Sequence, residues 1–207
     1  MSNLWLTLPL DDYEGHMKSP GVRQLGALAD LFREVLVARS PESIAILGVA
    51  GGNGLEHVDN TITKRIVGLD INPQYLDIVQ SRLSRLRGLQ LFCIDLAETV
   101  VELEPVALVH AALIFEHAGL GRCLDNALSL VSRTGALSVV LQLPSTAEPE
   151  VSVSGFPTIQ RLASDFSLID PKGFCENLRA RGFQMINESR QPLKGGKAFW
   201  MGIFVRE

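Results

Sequence analysis

Cysteine is nearly absent from this chain: Cys93, Cys123 and Cys175 are the only three in 207 residues. They are isolated and odd in number, which excludes a disulfide framework and points to a reducing compartment, the cytoplasm. They have no metal-ligand spacing, and the four histidines supply no ligand motif, so no metal is expected. Basic residues are in the minority, 19 Lys and Arg against 23 Asp and Glu. The resulting charge of -4 offers no general attraction to nucleic acid or to an anionic membrane. The one basic cluster, Arg82, Arg85 and Arg87, falls at the end of a predicted helix, where cations suit the dipole. No apolar run approaches the ~18 residues of a membrane span. The opening segment MSNLWLTLPLDDYEGH lacks the basic lead of a signal peptide. Internal repeats and low-complexity tracts are also missing.

What is present is a hydrophobic fraction of 46%, enough for one sizeable core. It is distributed as an alternation of short apolar runs and helical patterns. Ser43 to Val49, Arg65 to Leu69, LQLFCID from Leu89, PVALVHAALIFEH from Pro105 and GALSVVLQLP from Gly135 read as strands. They show little polar alternation, as a sheet buried on both faces requires. Helical patterns follow: Asn72 and Pro73 open one whose face carries Leu76, Val79, Leu83 and Leu86. A short helix is expected after Ala97 and a longer one from Gly119 to Val131, stopped by Gly135. After a helix running from Asp170 to Gly182, two strand patterns flank Lys194-Gly-Gly-Lys197, a hairpin. The fold expected is α/β: a doubly wound, mostly parallel seven-stranded sheet with helices on both faces and an antiparallel C-terminal hairpin strand. Residues 1–40, with an amphipathic helical pattern from Gly21, form a helical arm or lid ahead of the sheet domain of residues 41–207.

The first strand breaks into Ala50, Gly51, Gly52, Asn53 and Gly54. Ligands of open parallel sheets collect beyond the carboxyl ends of the strands. A glycine turn there lets a ligand approach the main chain, and a following helix would aim free N–H groups at it. A tight turn with no ligand uses the same residues. Asp70 ends the second strand, about sixteen residues on. It is placed to accept from both ribose hydroxyls, or to cap the next helix. Asp95 ends the third strand and offers the same choice between an adenine amine and a cap. Three such signals on one rim of the sheet favour a nucleoside.

The chain resembles the class I S-adenosylmethionine-dependent methyltransferases of the small bacterial type 11 kind over roughly residues 43–144. VAGGNG resembles the family's glycine motif, VGLDIN its ribose-binding turn, CIDLAE its adenine-binding turn and LVHAALIFEHAG the loop facing the methyl donor. The resemblance implies S-adenosylmethionine as cofactor. It places Gly48, Ala50, Gly51, Gly52, Asn53, Gly54, Asp70, Ile71, Asp95, Leu96, Ala112 and Glu116 around it. Three positions depart from the pattern, and Ala50 stands at the motif's first glycine. Gly48 stands where an acid is usual, and Ala107 lacks the acid common on the fourth strand.

Methyl transfer needs alignment of donor and acceptor above all. Where a proton must leave the acceptor, His117, Tyr13 and His16 are the candidates. Each has a plainer alternative as a packing residue, and His110 reads as a core histidine. The stretch from Gln142 to Phe166 is a long insertion; its Phe156, Ile159 and Leu162, with Trp5 and Tyr13, would cover an acceptor pocket. A small-molecule acceptor is expected, without nucleic acid or membrane, on a monomer or homodimer. The departures at Gly48 and Ala107 leave a non-catalytic binder of S-adenosylmethionine or S-adenosylhomocysteine as an alternative. An NAD(P)-dependent oxidoreductase is the weaker one, because no G-x-G-x-x-G spacing fits.

Overall fold

The computed structural model describes residues 3–207. In chain order the elements are α1 (Leu10–Lys18), α2 (Gln24–Arg39), β1 (Ser43–Leu47), β2 (Arg65–Asp70), α3 (Pro73–Arg82), β3 (Leu89–Cys93) and β4 (Val106–Ala112). They continue with α4 (Phe115–Ala118), α5 (Arg122–Leu130), β5 (Val131–Leu143), α6 (Pro157–Gln160), α7 (Pro171–Ala180), β6 (Phe183–Pro192) and β7 (Ala198–Arg206). The seven strands form one sheet in the order β3-β2-β1-β4-β5-β7-β6. Pairing is parallel from β3 through β5, and β7 runs antiparallel to both β5 and β6.

Alternate strand residues feed two separate cores, which is why these runs carry so little polar alternation. Ala45, Leu47, Val67, Leu69, Val109 and Ala111 pack with Leu124 and Ala127 of α5 and Phe174 and Leu178 of α7. Their neighbours Ile44, Ile46, Ile66 and Leu108 face the other way, against Phe32 and Val35 of α2 and Leu76 and Val79 of α3. Thus α2 is a structural layer of the sheet domain, whereas α1 lies over the rim. The order of strands reverses between β1 and β4, so a crevice opens at their carboxyl ends.

Several local expectations are corrected. No α-helix follows the glycine turn; a single 3₁₀ turn, Leu55–His57, stands there. The next residues prefer side-chain bonds to helix: Asp59 accepts from the Thr61 N–H, and Asn60 Nδ2 donates to the carbonyls of Thr63 and Arg87. The segment after Ala97 is a turn closed onto Asp95, not a helix. Helix α3 ends at Arg82, short of Leu83 and Leu86. The helix expected from Gly119 starts later, as α5 at Arg122, while the end of the run read as the fourth strand leaves β4 at Ala112 and turns into the short α4, which Gly119 (φ 74°) closes. Gly135 does not stop a helix. It lies inside β5, where a Cβ would come within 2.9 Å of the Val106 carbonyl oxygen.

Candidate functional site

Strand register brings the predicted residues together. Leu47 pairs with Leu69 on one side and Ala111 on the other, so Gly48, Asp70 and Ala112 are the next residues of three adjacent strands. The Gly48 and Val49 N–H groups both donate to the Leu69 carbonyl, at 2.9 and 3.0 Å. Asp70 then ties the turn to the second strand. Its Oδ2 accepts from the Ala50 N–H at 2.8 Å and its Oδ1 from the Asn72 N–H at 2.9 Å. The helix cap is Asn72, whose Oδ1 accepts from the Gln74 N–H. Each Asp70 oxygen therefore keeps acceptor capacity. Asp95 resembles it, with Oδ1 accepting from the Ala97 N–H at 2.9 Å.

A cavity of about 530 Å³ opens on this rim, within the roughly 300–1,000 Å³ range of small-molecule sites. Tyr13, His16, Gly48, Ala50, Asp70, Ile71, Asp95, Leu96, Ala112 and His117 all line it. Gly51, Gly52, Asn53, Gly54 and Glu116 are not among the lining residues. The bare faces of those glycines meet protein. A Cβ on Gly52 (φ 80°) would come within 2.9 Å of Leu83 in the turn after α3, and one on Gly54 (φ 88°) within 3.0 Å of Phe32 in α2. The Asn53 Nδ2 donates to the Leu25 carbonyl, anchoring the turn to α2. Sequence reasoning missed Met17, Gln24, Ile94, Gln142, Ser152, Asp165 and Phe166 on the walls. The insertion's Ile159 and Leu162 do line the cavity; Phe156 packs against Gly15 instead.

Helix α1 closes the crevice and is fastened on two sides. Glu14 binds Arg82 and Lys18 directly above Gly51. Burial works to raise its carboxyl, and the bonds from Arg82 and Lys18 outweigh it and hold it below the usual value. The Tyr75 hydroxyl donates to the Leu8 carbonyl and Asn72 Nδ2 to that of Trp5, both at 2.8 Å. On the insertion side, the Thr158 hydroxyl donates to Asp12 at 2.6 Å and His16 Nδ1 lies 2.8 Å from the Ser154 hydroxyl.

Burial sets the protonation states. It raises the Asp70 carboxyl against the opposing pull of the Asn72 and Ala50 N–H groups, and raises the Tyr13 phenol further above its usual range, with Asp70 and Glu14 adding to it. Tyr13 is therefore a hydrogen-bond donor and not a base. Burial lowers His117 to about 4, against the opposing pull of Asp165, and its Nδ1 has no hydrogen-bond partner among the described residues. Its ring is wedged edge-on between Trp5 and Phe166. His16 is lowered by burial and then by Lys197. His110 is a core residue, lowered to about 4 by burial and 3.2 Å from the Ser138 hydroxyl.

Glu116 supports the site from beneath. Its Oε1 accepts from the Gln142 N–H at 2.9 Å, and burial pushes it from 4.5 up to about 7. A raised carboxyl stabilises the fold fully below pH 4.5, and that contribution is lost as pH rises through about 7. His117 and His110 run oppositely: their contribution is present above pH 6.5 and lost as pH falls through about 4. Glu116→Gln keeps an acceptor for Gln142 and removes one of the opposed groups. Relative to the parent it should gain on the order of 1–3 kcal/mol of stability between about pH 5 and pH 8. Denaturant melts across that range check it; a constant offset would contradict the assignment.

No family model matches this chain, and no curated protein matches it. Solved structures do. The N-methyltransferase NodS from Bradyrhizobium japonicum WM9, in complex with S-adenosyl-L-homocysteine, superposes with a TM-score of 0.69 at 14% identity, covering 99% of each chain. Magnesium protoporphyrin IX methyltransferase ChlM from Synechocystis PCC 6803, with bound S-adenosylmethionine, gives 0.71 at 11% identity over 100% of this chain and 98% of that one. The cyclase SpnF gives 0.66 at 11% identity over 87% and 80%. The chain has the class I methyltransferase fold. Identities this low speak of fold, and a cyclase among the neighbours shows that the fold does not fix the reaction.

Proposed function

We propose that this chain is an S-adenosylmethionine-dependent methyltransferase acting on a small molecule. The observation that carries the reading is the meeting of Asp70, Asp95 and Ala50 in one cavity at the strand-order reversal. The residues present fit an adenosyl group. Asp70 has unused acceptor positions for two ribose hydroxyls, and Asp95 has them for an exocyclic amine. Ile71 and Leu96 offer apolar contact to a flat ring. When bound, S-adenosylmethionine supplies a methyl group already activated on a sulfonium. The protein is left to bind, align and exclude water. Trp5, Tyr13 and His16 serve the last task from above, with α1 held down over the glycine turn. Tyr13 keeps a protonated phenol, able to donate, and His117 presents a neutral imidazole on the cavity wall.

The sheet argues against a nicotinamide enzyme. A dinucleotide fold of the 3-2-1-4-5-6 order has no antiparallel strand inserted beside β5, and here β7 is one. Gly48 does leave the cavity wall without the acid usual there, which supports the alternative of a binder that does not transfer. The free thiols of Cys93, Cys123 and Cys175 support a reducing compartment, read here as the cytoplasm. Parallel calorimetric titrations with S-adenosylmethionine, S-adenosylhomocysteine and NADH test the reading. Binding of the first two and not the third is expected, followed by passage of labelled methyl into a small-molecule pool. Selective NADH binding would overturn it, and tight cofactor binding without any transfer would favour the non-catalytic reading.

A further inference from the structure

The half of the cavity beyond the nucleoside residues has a definite chemistry. Trp5 meets His117 edge-on, with ring centroids 4.8 Å apart and planes at 83°, and meets Tyr13 at 5.4 Å and 73°. Phe166 closes on the other side of His117 at 5.1 Å and 69°. These rings make a corner that suits a flat guest. The charged side chains on the walls are all carboxyls: Asp70, Asp95, Glu98, Glu150 and Asp165. Among the described residues, no Lys or Arg lines the cavity. Two cations beside the cavity are already engaged. Arg82 is held by Glu14 outside the glycine turn, and Lys197 Nζ donates to the Glu150 carbonyl and the Ser152 hydroxyl behind the wall.

We propose that the methyl acceptor is an amine carried on a flat unsaturated ring, seated against the corner that Trp5, His117 and Phe166 form, with its nitrogen toward Asp165. This deepens the methyltransferase reading and rests on it. Carboxylates at the mouth attract an ammonium group, and aromatic faces add cation–π attraction. A carboxylate or phosphate acceptor would face the carboxyls of Glu98, Glu150 and Asp165, with no Lys or Arg among the described lining residues to answer it. The chemistry agrees. The ammonium first gives a proton to water at the mouth. The nitrogen lone pair then forms the N–C bond to the methyl as the S–C bond breaks, and that bonding pair leaves on sulfur as a neutral thioether. The methylammonium formed releases its surplus proton to water. No side chain need act as a base in the transfer itself. That suits a pocket whose Tyr13 stays protonated and whose His117 is a weak base. A hydroxyl acceptor would need that base.

The test uses the full chain saturated with S-adenosylhomocysteine and ligand-observed NMR on matched probes: 2-phenylethylamine, 2-phenylethanol and phenylacetate, within a wider set of ring amines and ring acids. Amines should bind about tenfold or more tighter than the matched acids. Asp165→Asn should weaken amine binding roughly threefold, with little change for the alcohol. Acids binding as well as amines, no ring amine binding at all, or amine affinity indifferent to Asp165→Asn would each overturn the proposal. Failure of S-adenosylhomocysteine itself to bind would instead overturn the methyltransferase reading on which it stands.

Discussion

Gly52→Val should unfold at a temperature roughly 5–15 °C below the parent. Two costs combine. The backbone at Gly52 has φ 80°, a conformation that a β-branched residue adopts with strain of about 1–2 kcal/mol or more. The new side chain would also grow into Leu83, 2.9 Å from the Cβ position, with Leu55 and Val79 at 3.6 Å behind it. Overpacking of that kind costs about 1–3 kcal/mol. Because the missing Cβ faces α3 and not the cavity, the variant that remains folded should still bind S-adenosylhomocysteine. Thermal melts and calorimetry on one preparation check both halves. A variant of unchanged melting temperature that no longer binds would show instead that Gly52 faces the ligand. Gly52→Ala, with the same backbone strain and less bulk, should fall between the two.

Asp70→Ala should weaken S-adenosylhomocysteine binding by about 1–3 kcal/mol, roughly 5- to 150-fold. Asp70 is only 7% exposed, and its carboxylate is the proposed buried partner of the ribose. Stability should fall as well, because the Ala50 and Asn72 N–H groups lose their acceptor. The two effects are separable: affinity is measured at a temperature where both proteins are folded, stability in the absence of ligand. Asp70→Asn would not restore either fully. Both carboxylate oxygens already accept from backbone N–H groups, and the amide NH₂ would meet one of them donor to donor. Asp95, partly exposed and tied to the single Ala97 N–H, should tolerate substitution better.

The rim of the sheet was readable because strands speak in short-range patterns. The apolar runs at Ser43, Arg65, Leu89 and Val106 end where small or acidic residues begin, and parallel pairing sets those ends side by side. The glycine turn was readable as a turn but not as to purpose. A glycine says that a Cβ is unwelcome, not whether a ligand or Leu83 stands in its place. The segment after it misled for a local reason, since Asp59 and Asn60 satisfy backbone groups that a helix would have used. The fastening of α1 was out of reach altogether: Glu14 and Arg82 are 68 residues apart, and no periodicity links them. Asp165 and Phe166 were equally hidden, in an insertion whose short turns carry no repeating pattern.

A crystal structure of the chain with S-adenosylhomocysteine tests the central claim most directly. The ribose hydroxyls should lie within hydrogen-bond distance of the Asp70 carboxylate, the adenine beside Asp95 and Leu96, and the sulfur toward Trp5 and His117. A ligand seated elsewhere, or one in this cavity whose sugar does not touch Asp70, would contradict it.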